Sequence, residues 1–92
     1  MLKIKQTPWG TADYVQMVKE GIYKVGTPSH GGYKLDRERN NQMPKHMRNP
    51  GGWYEEDCEW SKVALVFPEI YPEHERESKI ERAQGVYESW CK

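Results

Sequence analysis

Residues 13–35 read DYVQMVKEGIYKVGTPSHGGYKL, and the reading of this stretch decides the fold. Tyr14, Val15 and Val18 fit one face of a helix, whereas β-branched and aromatic residues favour a strand. The residues beyond Val18 favour the strand. Lys19-Glu20-Gly21 looks like a hairpin turn, with Gly21 supplying the positive φ that such turns need. Residues 22–26 form a second strand, Thr27 to Gly32 a loop, and Tyr33 to Leu35 the start of a third. The expectation is a three-stranded antiparallel meander over residues 13–35, with Lys24 and Lys34 on one face.

Upstream, residues 2–6 alternate apolar and basic, which suggests a short edge strand, and Thr7-Pro8-Trp9-Gly10 reads as a turn. Downstream, Asp36 is a good N-cap for one or two helical turns ending near Gln42. Pro44 and the run Asn49-Pro50-Gly51-Gly52 then break regular structure, leaving residues 36–52 mostly irregular and basic. Glu55 to Phe67 reads as a helix with Trp60, Ala64 and Phe67 on one face and an acidic first turn, bracketed at its end by Pro68 and Pro72. Ile80, Ala83, Tyr87 and Trp90, spaced 3, 4 and 3, mark an amphipathic helix over residues 73–90, weakened by Gly85. The predicted class is α+β: a small antiparallel sheet of about three strands with two main helices, in one compact domain over residues 1–92.

The chain has 92 residues, too few for an enzyme with its own cofactor domain. Leu, Ile, Val and Phe make up only 14 of these residues, while four Trp and six Tyr supply large apolar areas. The core is therefore expected to rest on aromatic residues, with Trp9, Trp53 and Trp60 mainly inside. No apolar run approaches the roughly 18 residues that a membrane span needs, and Met1 to Gln6 is too short and polar for a signal peptide. Two cysteines are too few for a disulfide framework, so free thiols in a cytoplasmic protein are expected. The net charge of zero hides an asymmetry: +5 over residues 1–52 and −5 over residues 53–92. One half suits an anion such as nucleic acid and the other a basic protein surface.

Catalytic and metal signals are weak. Cys58 sits among Glu55, Glu56, Asp57 and Glu59, which would raise its pKa and blunt it as a nucleophile. His30, His46, Cys58, His74 and Cys91 are all at least twelve residues apart, unlike the close ligand pairs of structural metal sites. No catalytic residue, metal or cofactor is expected, and an enzyme centred on His30 and Cys58 is the weakest reading. In Thr27-Pro28-Ser29-His30-Gly31-Gly32, the glycines could turn backbone N–H groups toward an anion, although the Lys and spacing of a P-loop are missing. The strongest constellation mixes cations with rings and amides: Lys24, Tyr33, Lys34, Arg37, Arg39, Asn40 and Arg48. Cations neutralise phosphates and Tyr stacks on unpaired bases, so these seven are the candidate RNA- or complex-binding residues.

Three motifs succeed one another along the chain: TPWG at 7–10, TPSHGG at 27–32, and GWYEEDCEW at 52–60 with FPE at 67–69. Over residues 7–71 they resemble an uncharacterised domain family carried by phages and mobile elements, for which no enzyme activity is implied. The whole chain is also similar to the small phage anti-CRISPR proteins directed against the type I-F Csy surveillance complex. That resemblance implies a non-enzymatic, monomeric inhibitor in the host cell cytoplasm. It would bind the crRNA-bearing backbone and large subunits, contact either crRNA or the path that target DNA must take, and block hybridisation of target DNA. The alternative expectation is a generic nucleic-acid-binding accessory module of a mobile element.

Overall fold

Alternation of inward and outward residues organises the sheet, as seen in a computed structural model that describes residues 3–91. Strand β1 (Gln6–Thr7) and strand β2 (Gly10–Thr11) form a two-stranded hairpin around Pro8-Trp9. Strands β3 (Tyr14–Lys19), β4 (Ile22–Gly26) and β5 (Gly31–Leu35) make the expected antiparallel meander. Helix α1 (Arg37–Asn41) comes next, and strand β6 (Trp53–Glu55) then returns to pair with β5. Helices α2 (Trp60–Val66) and α3 (Glu73–Val86) complete the chain, the latter running into a π-helical turn over Tyr87–Cys91. The architecture is α+β as expected, but the main sheet has four strands in the order β3-β4-β5-β6, beside the two-stranded hairpin. Of the expected strand over residues 2–6, only Gln6 is in a strand; Leu2 lies outside the described residues.

Strand β4 is covered on both faces, with Ile22, Tyr23 and Val25 all buried. One face packs Ile22, Tyr33, Leu35 and Tyr54 against Val63 of α2 and Phe67 just beyond it, and against Met43 and Met47 from the segment after α1. On the other face, Trp9 lies over Gly32 and meets Trp53 edge-on, with ring centroids 5.5 Å apart. A Cβ at Gly32 would strike the Tyr54 carbonyl oxygen and come within 2.7 Å of the Trp9 ring, so this glycine lets both β6 and the tryptophan of the hairpin come close to β5. Trp9, Trp53 and Trp60 are half-buried rather than central. The innermost aromatic residues are instead Tyr54, Tyr23, Phe67 and Tyr33.

Two turns are fixed by side chains. Gly21 has a φ of 81°, and a Cβ there would strike Arg39 and Asp36. Those two residues link the turn to α1: the Asp36 carboxylate caps the helix by accepting the Arg39 N–H at 2.8 Å, and the Arg39 Nε ties down the turn by donating to the Glu20 carbonyl at 2.7 Å. Further on, the Glu59 carboxylate curls back to accept from the Asn49 side chain at 2.6 Å and from the Glu55 N–H at 3.3 Å. Residues 53–55 are thereby held extended against β5, and the helix expected from Glu55 starts only at Trp60. In α3 the expected stripe turns inward at Ala83, which is buried, and at half-buried Ile80 and Tyr87. Trp90 leaves it and is 77% exposed, because the wider π-turn changes the angle between successive residues.

On the outer edge of the sheet, β3 carries a register irregularity between Met17 and Lys19, and Lys19 pairs with Glu69 at 3.7 Å. No helix of the described residues is long and apolar enough to cross a membrane.

Candidate nucleic-acid interface

The helix-covered face of the sheet runs past its helices at one end and leaves a cleft of about 570 Å³ there. Register decides what the sheet shows to it. Lys24 pairs with Tyr33, and Tyr14 with Gly26, so Tyr14, Lys24 and Tyr33 all point to this face. Trp60 at the start of α2 and Tyr71, in the connection to α3, supply two more rings. Lys79 and Arg82, three residues apart on α3, supply two more cations from the far wall. Lys79 Nζ stands 5.6 Å from the centre of the Tyr71 ring. Among the described residues, Lys24, Lys79 and Arg82 have no ion-pair partner.

The two tyrosines at the cleft floor share a hydroxyl contact, Tyr33 Oη to Tyr71 Oη at 3.2 Å. Burial first, and then this contact, hold the Tyr33 phenol well above its usual range. Burial also raises Tyr71, with the Tyr33 contact partly offsetting it. Both are neutral hydrogen-bonding groups at physiological pH.

The glycine-rich loop forms the rim, but its backbone is already engaged. The Thr27 hydroxyl and N–H both donate to the His30 carbonyl at 2.7 Å, and the His30 N–H donates back to the Thr27 hydroxyl at 3.1 Å. The Gly31 N–H donates to the Glu56 carboxylate at 2.6 Å. The carboxylate at this loop is the chain's own: Glu56 takes the Gly31 N–H that a bound anion would use. The His30 imidazole lies 3.5 Å from Glu55 and 4.0 Å from Glu56, so it too faces carboxylates.

Of the seven candidate residues, the fold brings only Lys24 and Tyr33 to the cleft. Lys34 lies on the opposite face from Lys24, a correction to the shared face expected: its register partner is Tyr23, one residue short of Lys24. Its Nζ donates to the Gly51 carbonyl and stands 4.7 Å from the Trp53 ring centre. Burial lowers its pKa, with Asp36 partly opposing. Arg39 ties down the Glu20 turn and lies 5.4 Å from the Phe67 ring centre. Asn40 is buried, bonded to the Tyr54 hydroxyl and the Asn49 carbonyl. Arg48 donates to the carbonyls of Met43 and Asn41. Arg37 is exposed on α1. Within the irregular segment, Arg48 and Asn40 thus serve its own carbonyls and Arg39 that of Glu20, as a chain without regular structure requires.

Sequence reasoning does not single out Tyr14, Trp60, Tyr71, Lys79 or Arg82 as binding residues. A signal for two of them is present: Glu73, Glu77 and Glu81 recur every fourth residue on α3, and Lys79 and Arg82 fall on a different face. The helix thus groups these three carboxylates apart from Lys79 and Arg82, whose face also carries Glu75 one turn before Lys79, and a net count over residues 53–92 conceals the grouping.

A second, smaller cavity of about 260 Å³ is lined by Glu55, Asp57, Cys58, Glu59, Lys62, Trp90 and Cys91. The Cys58 thiol is pushed up to about 11, chiefly by a hydrogen bond with Cys91, then by burial and by the Cys91, Glu59 and Asp57 charges. Of the four acidic neighbours expected to raise it, Glu59 and Asp57 do so, but the larger cause is the second thiol. His30 and Cys58 line different cavities. No group of three or more His, Cys, Asp or Glu side chains suited to a metal ion occurs among the described residues.

The fold and its cleft define a small α+β domain with an open, cationic, ring-lined groove on one sheet face. Residues 3–91 match the sequence profile of a family described as a domain of unknown function, DUF7007, and the chain belongs to that family. No curated protein and no solved structure matches it.

Proposed function

We propose that the protein acts by binding, and that the cleft between the sheet and α3 receives an unpaired nucleic-acid strand. The observation that carries this reading is the convergence of three cations, Lys24, Lys79 and Arg82, on a groove walled by Tyr14, Trp60 and Tyr71. Cations along a groove track a phosphate backbone, and rings accept bases by stacking without demanding a sequence. A groove of this size lies within the range that holds a ligand of a few rings. The resemblance to phage anti-CRISPR proteins supplies a target: the type I-F Csy complex, whose crRNA is held in a chain of backbone subunits. On this reading the protein is a phage inhibitor working in the host cell cytoplasm. It occupies the crRNA-bearing surface and stops target DNA from hybridising. The carboxylates of α3, Glu73, Glu77 and Glu81, are exposed and suit the basic subunits that such a complex needs to hold RNA.

The test is a target-DNA binding assay on purified Csy complex, run beside a binding titration with free single-stranded RNA. Wild-type protein is expected to block DNA binding. A triple Lys24→Ala, Lys79→Ala, Arg82→Ala variant is expected to lose at least about tenfold in affinity. Its log–log salt slope should flatten by about 2, the share of three single-strand phosphate contacts. A folded triple variant that blocks DNA at wild-type concentration removes the cleft from the interface. Tight binding to free RNA with no effect on the Csy complex turns the reading to a general nucleic-acid module.

A further inference from the structure

The two cysteines come from opposite ends of the helical layer. Cys58 sits in the turn before α2, and Cys91 closes the π-turn after α3. The Ser61 hydroxyl joins them, donating to the Cys58 carbonyl at 2.6 Å and reaching the Cys91 Sγ at 3.9 Å. Both thiols line the same small cavity, both are half-buried, and neither is in a disulfide. The chain has only these two cysteines, so their meeting across some thirty residues leaves each with one intramolecular partner.

We propose that Cys58 and Cys91 are a reversible dithiol–disulfide pair that fastens the end of α3 to the start of α2. The oxidant is a low-molecular-weight disulfide. The thiolate of one cysteine attacks one sulfur of that disulfide, forming a mixed disulfide and expelling one small thiolate. The second cysteine, as its thiolate, attacks the protein sulfur of the mixed disulfide and expels the other small thiolate. Two protein thiols are thereby oxidised by two electrons, the small disulfide is reduced to two thiols, and the protons pass to those products. The shared cavity and the Ser61 hydroxyl between them keep the two cysteines together, so the second step is intramolecular and fast. Because Lys79 and Arg82 ride on α3, the bridge also restrains one wall of the cleft.

The experiment treats the purified chain with oxidised glutathione, quenches with acid, and reads intact mass, peptide map and thermal unfolding. It reads no ligand binding, so its outcome is independent of the cleft's function. The expected product is a monomeric chain lighter by two hydrogens, with the Cys58 and Cys91 peptides joined. Its unfolding midpoint should rise by roughly 10 °C, since the bridge closes a long loop of the unfolded chain. Cys58→Ser and Cys91→Ser should each retain a glutathione adduct in place of the bridge. A lasting glutathione adduct on the wild-type chain, a bridge between two chains, thiols that stay free, or a midpoint that does not rise would each overturn the proposal.

Discussion

The Tyr54 hydroxyl joins three segments that regular structure does not connect. It donates to the Asn40 side chain and accepts the Asn49 N–H at 3.0 Å, so α1, the irregular loop and β6 share one buried oxygen. Tyr54→Phe keeps the ring and takes the partner from the buried Asn40 Oδ1 and the half-buried Asn49 N–H. The expected cost is about 2–3 kcal/mol, because a buried polar group stripped of its partner loses its full solvation. Calorimetry should read this as a midpoint lower by roughly 10 °C. An unchanged midpoint would mean that water enters and replaces the hydroxyl. At this scale the sequence is legible where chemistry is local. Asp36 as N-cap and Gly21 in its turn are dictated by neighbours within a few residues. Asn40, Arg39 and Arg48 are not legible as internal props, because a polar side chain in an irregular stretch has no periodicity to say which way it points.

Among the elements, the meander is readable because turn chemistry and alternation agree, and β6 is not. Trp53-Tyr54-Glu55 is only three residues long and runs straight into acidic residues, a pattern that mimics the start of a helix. Pairing with β5 and the inward curl of Glu59 settle the competition, and both are tertiary effects. The same limit explains the cleft: Lys79 and Arg82 gain meaning only when α3 is laid across the sheet beside Lys24. Helix α3 itself contributes little apolar surface, burying only Ala83. Its intrinsic helix preference therefore matters more than usual. Gly85 stands in its last turn with an ordinary φ and open space around a Cβ. Gly85→Ala is expected to stabilise the protein by about 0.5–1 kcal/mol. Chemical denaturation should show a higher midpoint with an unchanged slope; a loss of stability would mean that the α3 backbone there is not helical in solution.

For the molecule as a whole, four titrating groups lean the same way. Cys58 is pushed up to about 11, and the phenols of Tyr33, Tyr54 and Tyr71 are all raised, burial being the leading cause for the tyrosines. Each holds its proton more tightly folded than unfolded. The stability this gives is complete below the unfolded values, near 9 for the thiol and 10 for the phenols, and is lost as pH rises through the folded ones. Lys34, lowered by burial, works in the opposite sense but stands alone. Thermal midpoints measured under reducing conditions should therefore hold steady to about pH 9 and fall steadily above it. A midpoint flat to about pH 11 would show that these groups are hydrated in the folded chain. The outer strand β3 bears on a different property, self-association. It leaves Val15 and Met17 more than two-fifths exposed beside an unpaired row of backbone groups, the combination from which sheets polymerise. The bulge between Met17 and Lys19 breaks the register that an incoming strand would need, and the Lys19–Glu69 pair sets charge at the same end. A second chain adding at this edge would find a matched ladder only from Tyr14 to Met17, too short a run to propagate a fibre.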